Sequence, residues 1–103
     1  MAGKQGNAIT FHPVAMEELQ AAFGWYRERS PQAAHAFWQE IETGIGHIAD
    51  APARCPAYIL ASRRYVLTRF PYFIIFREAN GGIEIIAVAH GRRKPGYWRK
   101  RLA

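Results

Sequence analysis

Cysteine, acidic side chains and long apolar runs are what this 103-residue chain has least of. Cys55 is its only cysteine, which excludes an intrachain disulfide framework and a cysteine-based zinc site, and suits a reducing compartment. His12, His35 and His47 share no metal-ligand spacing with one another or with Cys55, so no metal and no other cofactor is expected. No apolar run approaches the roughly 18–20 residues that span a bilayer. The opening Met1–Asn7 is polar and is followed by no apolar signal core. The expected setting is therefore a soluble cytoplasmic protein without a membrane partner.

The shortage of acid is uneven along the chain. Eight acidic residues stand against fourteen basic ones, a net charge of +6. Residues 1–50 hold three basic and six acidic groups, a net −3, whereas residues 51–103 hold eleven basic and two acidic groups, a net +9. An acidic or polyanionic partner that meets the C-terminal half follows from this imbalance. Half of the residues are hydrophobic, and a single domain of this length buries a core without staples.

Residues 1–7, with Gly3 and Gly6, read as a flexible tail, and residues 8–103 as one domain. Ala8 to Phe11 is a short strand that stops before Pro13. Ala15, Leu19, Ala22, Phe23 and Tyr26 then recur at helical spacing to about Arg29. Ser30-Pro31 supplies an N-cap and a first-turn proline, restarting a helix whose stripe is Ala34, Phe37, Trp38, Ile41, Ile45 and Ile48. Gly44 and Gly46 weaken it by about 1 kcal/mol each, which points to a close approach by another backbone. With so short a turn between them, the two helices form an antiparallel hairpin. Trp25 and Trp38 are expected inside its interfaces.

Asp50 to Ser62, with Pro52 and Pro56, reads as a loop, after which the period turns strand-like. Arg64–Arg69, Tyr72–Glu78 and Ile83–His90 are the strands of a meander, the last two joined by Asn80-Gly81-Gly82, whose residues tolerate positive φ. Gly91–Ala103 is a basic tail. The architecture is α+β: an N-terminal strand and a two-helix hairpin packed on an antiparallel sheet with a three-strand meander. Both faces of the last strands are apolar, Ile74 and Phe76 on one side and Phe73 and Ile75 on the other. The hairpin covers only one face, so either the tail or another chain must cover the second.

Ala15, Leu19 and Tyr26, then Phe37, Ile41 and Ile48, then Pro52, Arg64, Leu67 and Phe70-Pro71-Tyr72 occur in a familiar order. They lead to Ile85–Trp98, with His90-Gly91-Arg92-Arg93, Pro95 and Tyr97-Trp98. From Phe11 to Arg101 this resembles the RelE/ParE superfamily of type II toxin–antitoxin toxins, especially the ParE-like plasmid-stabilisation branch. The resemblance implies a toxin neutralised by a cognate antitoxin, with a toxin–antitoxin hetero-oligomer among the assemblies it allows. A partly disordered antitoxin segment would bury the second apolar face, through Phe73 and Ile75, and bring acid to Arg63, Arg64, Arg69 and Arg77.

The superfamily divides by mechanism. RelE-like members cleave messenger RNA on the ribosome, which needs a base, an acid and cations around the phosphate. The candidates for that chemistry are Arg64, His90, Arg93 and Tyr97, but Ala53–Arg69 contains none of the lysines such enzymes commonly use. ParE-like members bind DNA gyrase and trap it on cleaved DNA, which needs a surface and not a catalytic set. Arg92, Arg93, Lys94, Tyr97, Trp98, Arg99, Lys100 and Arg101 would then form the target-binding surface, and this non-enzymatic reading is the one favoured. Several of these residues also have plainer readings. A terminal charge run is often only a solvated face, His90 can simply be hydrogen-bonded at a strand end, and Tyr97-Trp98 can either stack on bases or fold back onto the sheet.

Overall fold

The computed structural model describes residues 6–102; most of the tail expected over residues 1–7 lies outside them. Within the described part, Asn7 is held to the end of the second helix, its backbone N–H donating to the Ala49 carbonyl at 2.9 Å. Strand β1 (Ile9–Phe11) leads into α1 (Pro13–Arg29), α2 (Pro31–Asp50), β2 (Arg63–Val66), β3 (Tyr72–Ala79) and β4 (Gly82–His90). Short 3-10 turns occupy Pro52–Arg54, Ile59–Ala61 and Arg99–Leu102.

The helix starts are chemically defined. His12 Nδ1 accepts the Val14 N–H at 3.1 Å and Pro13 opens α1. Ser30 ends α1 and begins α2: its N–H donates to the Tyr26 carbonyl at 2.7 Å, while its hydroxyl oxygen accepts from Ala33 N–H at 3.1 Å. One residue thus satisfies orphan groups of both helices, which is why the hairpin turn is so short.

The sheet has the order β1-β4-β3-β2. The meander β2-β3-β4 is antiparallel, as its turn chemistry implies, with Asn80 and Gly81 both at positive φ. The N-terminal strand joins it in parallel, Ile9 to Phe11 pairing with Ile83 to Ile85, so the sheet is mixed. The first meander strand is shorter than its apolar pattern suggests. It ends at Val66 because Thr68 and Arg69 turn away, their N–H groups donating to the Glu40 carboxylate on α2 at 2.6 and 3.2 Å.

Two cores lie on the two faces of the sheet. Under the helices, Ala15, Leu19, Phe37, Ile41 and Ile48 pack with Ile74, Phe76, Ile83, Ile85 and Val88. On the other face Ile75, Ile86, Ala87 and Ala89 pack with Trp98. The tail therefore supplies the second cover, Trp98 being only 1% exposed. A bulge in β4 makes the two faces compatible. Between the pairs Phe76–Ile85 and Ile75–Ala87 the residue Ile86 is extra, so the alternation of β4 shifts by one. Ile85 and Val88 then both face the helices, while Ile86 and Ala87 both face Trp98.

The close approach at Gly44 is made by a ring, not a backbone. A Cβ there would lie 2.7 Å from Tyr65 Cε1, whereas one at Gly46 would meet nothing within 4 Å. The two helix tryptophans also depart from expectation: Trp25 is 52% and Trp38 38% exposed. Each meets one ring at a steep angle, Trp38 that of Phe23 and Trp25 that of Tyr26, and the Arg29 guanidinium lies over the Trp25 ring, 3.8 Å from its centroid.

Candidate functional site

Strand β1 is short, and past Phe11 the chain turns into α1. The edge of β4 beyond Ile85 therefore has no strand beside it. Two side chains take the strand's place. Glu18 of α1 accepts the Val88 N–H at 3.0 Å, and Arg101 of the tail donates to the Ile86 carbonyl at 3.1 Å. They also bind each other, Arg101 donating two hydrogen bonds of 2.9 Å to the two carboxylate oxygens of Glu18. Tyr97 adds a third donor, its hydroxyl 2.7 Å from Glu18 Oε2. The pair is largely enclosed, with side-chain exposures of 15% and 14%. Such bidentate, charge-assisted contacts are the strong ones in proteins.

This clasp fixes the basic tail to the acidic hairpin. It also sets the chemistry of Tyr97. Burial and the hydrogen bond and charge of Glu18 push the phenol far above its ordinary range, against the opposing pull of Arg101 and Arg93. Tyr97 is thus a fixed hydroxyl donor and does not serve as a base. Arg101 is held charged: burial alone would lower its pKa, but the contacts with Glu18 more than offset this.

Beside the clasp, a cleft of about 520 Å³ opens between α1 and the end of β4, bordered by Trp25, Tyr26, Tyr72, His90, Arg93 and Tyr97 among others. The Arg93 guanidinium lies 3.7 Å from the Tyr97 ring centroid. His90 pairs with Tyr72 across the sheet, and its Nδ1 accepts the Arg92 N–H at 3.0 Å. Burial raises the phenols of Tyr26 and Tyr72, so both remain hydroxyl donors.

The cleft brings together three of the four candidates for phosphate cleavage, His90, Arg93 and Tyr97. Arg64 is not among them. It pairs with Ile75, on the tail-covered face, and its guanidinium lies between the rings of Tyr58 and Phe73, at 4.6 and 4.9 Å. The sheet separates it from His90, which shares the helix face with Tyr72.

The residues expected to meet a target divide sharply. Arg92, Arg93, Lys94, Arg99 and Lys100 are exposed, but Trp98 is the plug of the second core and offers no surface. Arg101 and Tyr97 are committed to Glu18. Those expected to meet an antitoxin are mostly engaged inside the fold. Ile75 is fully buried beneath Trp98. Arg63 donates to the Cys55 carbonyl at 2.7 Å. Arg77 pairs with Glu84 at 3.0 Å and donates to the Leu102 carbonyl at 3.1 Å. Phe73 is half-buried against Arg64, and Arg69 alone of the six is exposed. The tail engages Ile75, through Trp98, and Arg77, through the Leu102 carbonyl, whereas the loop before β2 engages Arg63, through the Cys55 carbonyl, and Arg64, through Tyr58.

Glu18 is the functional residue that the sequence reading missed. A signal existed, because Glu18 sits three residues after Ala15 and four before Ala22, on the buried stripe of α1. A carboxylate on such a stripe requires a cation. Among the described residues no group of three or more His, Cys, Asp or Glu side chains is arranged to hold a metal ion.

A helical hairpin on a mixed four-stranded sheet, with a basic tail clasped across the far face, defines a small α+β protein. The family model for the ParE toxin of the parDE type II toxin–antitoxin system matches residues 9–95, and the chain belongs to that family. Among solved structures, the chromosomal ParDE toxin–antitoxin system from P. aeruginosa is similar in fold, with a TM-score of 0.70 at 19% identity over 82% of this chain and 95% of that one. No curated protein sequence matches. Among the described residues no helix is long and apolar enough to cross a membrane.

Proposed function

We propose that this ParE-type toxin acts in the cytoplasm without catalysis, binding DNA gyrase and trapping it on cleaved DNA, and that a cognate antitoxin protein neutralises it. The observation that carries this reading is the separation of Arg64 from the other three ribonuclease candidates, together with the commitment of the Tyr97 hydroxyl. Arg64 lies across the sheet from His90 and Arg93, and the Tyr97 hydroxyl is tied to Glu18. What stays exposed is a cationic surface, Arg92-Arg93-Lys94 and Arg99-Lys100, on a rigidly held tail. Binding a large partner needs only such a surface.

The test is a supercoiling assay with purified gyrase and relaxed plasmid. Inhibition by the toxin, relieved by its antitoxin, is the expected result. Full-rate supercoiling at stoichiometric excess of toxin overturns the proposal, and new 5′ ends in cellular transcripts after induction would replace it with messenger RNA cleavage.

A further inference from the structure

The loop before β2 holds a conformation that its own side chains disfavour. Leu60 and Ala61 both sit in the left-handed region, Leu60 at φ 60° and ψ 43°, Ala61 at φ 60°. A Cβ is crowded there, and glycine or asparagine is the usual occupant. The loop is nonetheless closed and rigid. Tyr58 N–H donates to the Ser62 carbonyl at 2.8 Å, and the buried Ser62 donates its hydroxyl to the Ile59 carbonyl at 2.6 Å. What the loop displays is apolar: Ile59 is 38% and Leu60 51% exposed, with the exposed Ala61 beside them. A turn shaped by stability alone would carry glycine here, and strain that persists at an exposed apolar tip points to a use for the tip.

The surroundings of the loop are cationic. The tail passes against it at Gly96, where a Cβ would lie 3.4 Å from Ile59 Cδ1 and 3.5 Å from an Arg99 guanidinium nitrogen. The loop is thereby continuous with the exposed Arg99 and Lys100. At the start of the loop, the Arg64 guanidinium lies 4.6 Å from the Tyr58 ring centroid and pairs with no carboxylate among the described residues. Neither residues 51–77 nor residues 85–103 contain an acidic side chain. An apolar tip with a cationic border matches a partner whose pocket is bordered by carboxylates.

We propose that Leu60, with Ile59, is the apolar anchor by which the toxin docks into an acid-bordered pocket on its folded target. A displayed, preformed tip suits a partner with a preformed cavity. An antitoxin segment that orders as it binds would instead lay its own side chains into grooves of the toxin. Glycine at position 60 would relax the loop but remove the anchor, which accounts for the strain. The inference rests on the reading of the chain as a toxin that acts by binding a protein, and it holds whether or not that protein is gyrase.

The experiment induces the parent toxin and its Leu60→Asn, Leu60→Gly and Leu60→Met variants in cells without antitoxin and counts surviving colonies. Asparagine and glycine suit the left-handed backbone, so thermal midpoints of purified Leu60→Asn and Leu60→Gly should equal or exceed the parent's. Survival should still rise at least about tenfold in both, whereas Leu60→Met, which keeps the apolar bulk, should be as toxic as the parent. All three variants should co-purify with the antitoxin as the parent does. The proposal is overturned by a parent that does not arrest growth, by Leu60→Asn and Leu60→Gly as toxic as the parent, or by Leu60→Met as inert as Leu60→Asn. It is equally overturned if lost toxicity tracks a lowered midpoint or lost antitoxin binding, or if Leu60 instead governs binding to phosphatidylglycerol vesicles. A parent that arrests growth but leaves gyrase supercoiling at full rate overturns the gyrase reading alone.

Discussion

At the residue scale, Glu18 gathers more of the molecule than any other side chain described. It accepts from Val88, Tyr97 and Arg101, joining α1, β4 and the tail at one carboxylate. Removing one member of an enclosed ion pair strands the other, so Glu18→Gln should cost about 3 kcal/mol, the lower end for such pairs because this one keeps some solvent contact. Urea unfolding should show this as a lower midpoint with an unchanged slope. The two glycines of α2 should respond in opposite directions. Gly46→Ala meets nothing and should stabilise by about 0.5–1 kcal/mol. Gly44→Ala drives a methyl into Tyr65 and should destabilise by about 1–2 kcal/mol despite the better helix former, as thermal melts will show. Glu40 titrates with stability. Burial works against its charge, but the hydrogen bonds from Thr68 and Arg69, with the Arg69 charge, hold its carboxyl below the ordinary range. Its contribution is then fully present above the unfolded value near pH 4.3 and is lost as pH falls through the lower folded value. Glu40→Gln should flatten that acid limb in unfolding midpoints measured from pH 5 downward.

At the element scale, the tail is structural before it is functional. Trp98 closes the second core, so Trp98→Ala should cost about 3–5 kcal/mol and expose Ile75, Ile86, Ala87 and Ala89, giving new binding of a hydrophobic dye. The sequence made this cover a requirement, since Phe73-Ile74-Ile75-Phe76 is apolar on both faces, but offered two candidates for it. Local chemistry was legible at the junction of the helices: Ser30-Pro31 predicts a cap and a start, and both are present. Non-local pairing was not legible. Nothing in Ile9-Thr10-Phe11 says that it pairs in parallel with residues more than seventy positions away. Nor does an unbroken run such as Ile85–Ala89 announce the extra residue at Ile86, because a strand buried on both faces loses the alternation that would mark a bulge. Of the site, Arg93 and Tyr97 were visible as types of residue in a suggestive run. Glu18 was visible only as a carboxylate on the buried stripe of α1, since its partners are brought to it by the fold.

At the scale of the whole molecule, the charge imbalance has a structural counterpart. The acidic half is the hairpin and the basic half is the sheet and tail, and the clasp of Glu18 with Arg101 is where the two halves are joined. The cations left over, at Arg92, Arg93, Lys94, Arg99 and Lys100, are exposed and lie on an anchored segment. Four tyrosines, at positions 26, 65, 72 and 97, have phenols raised chiefly by burial. Their raised values favour the folded state below pH about 10, and that contribution declines as pH rises toward the folded values. Stability should therefore drop above pH 10, less steeply in Tyr97→Phe, as alkaline unfolding followed by far-ultraviolet dichroism will check. On the function proposed above, this anchored cationic surface is what poisons gyrase. The most direct test is the cleavage reaction, with purified gyrase, supercoiled plasmid and the toxin. The prediction is linear DNA that accumulates with added toxin and falls by about tenfold when Arg92, Arg93 and Lys94 are all replaced by alanine in a chain that still folds. The contradicting result is no linear DNA above background at toxin excess.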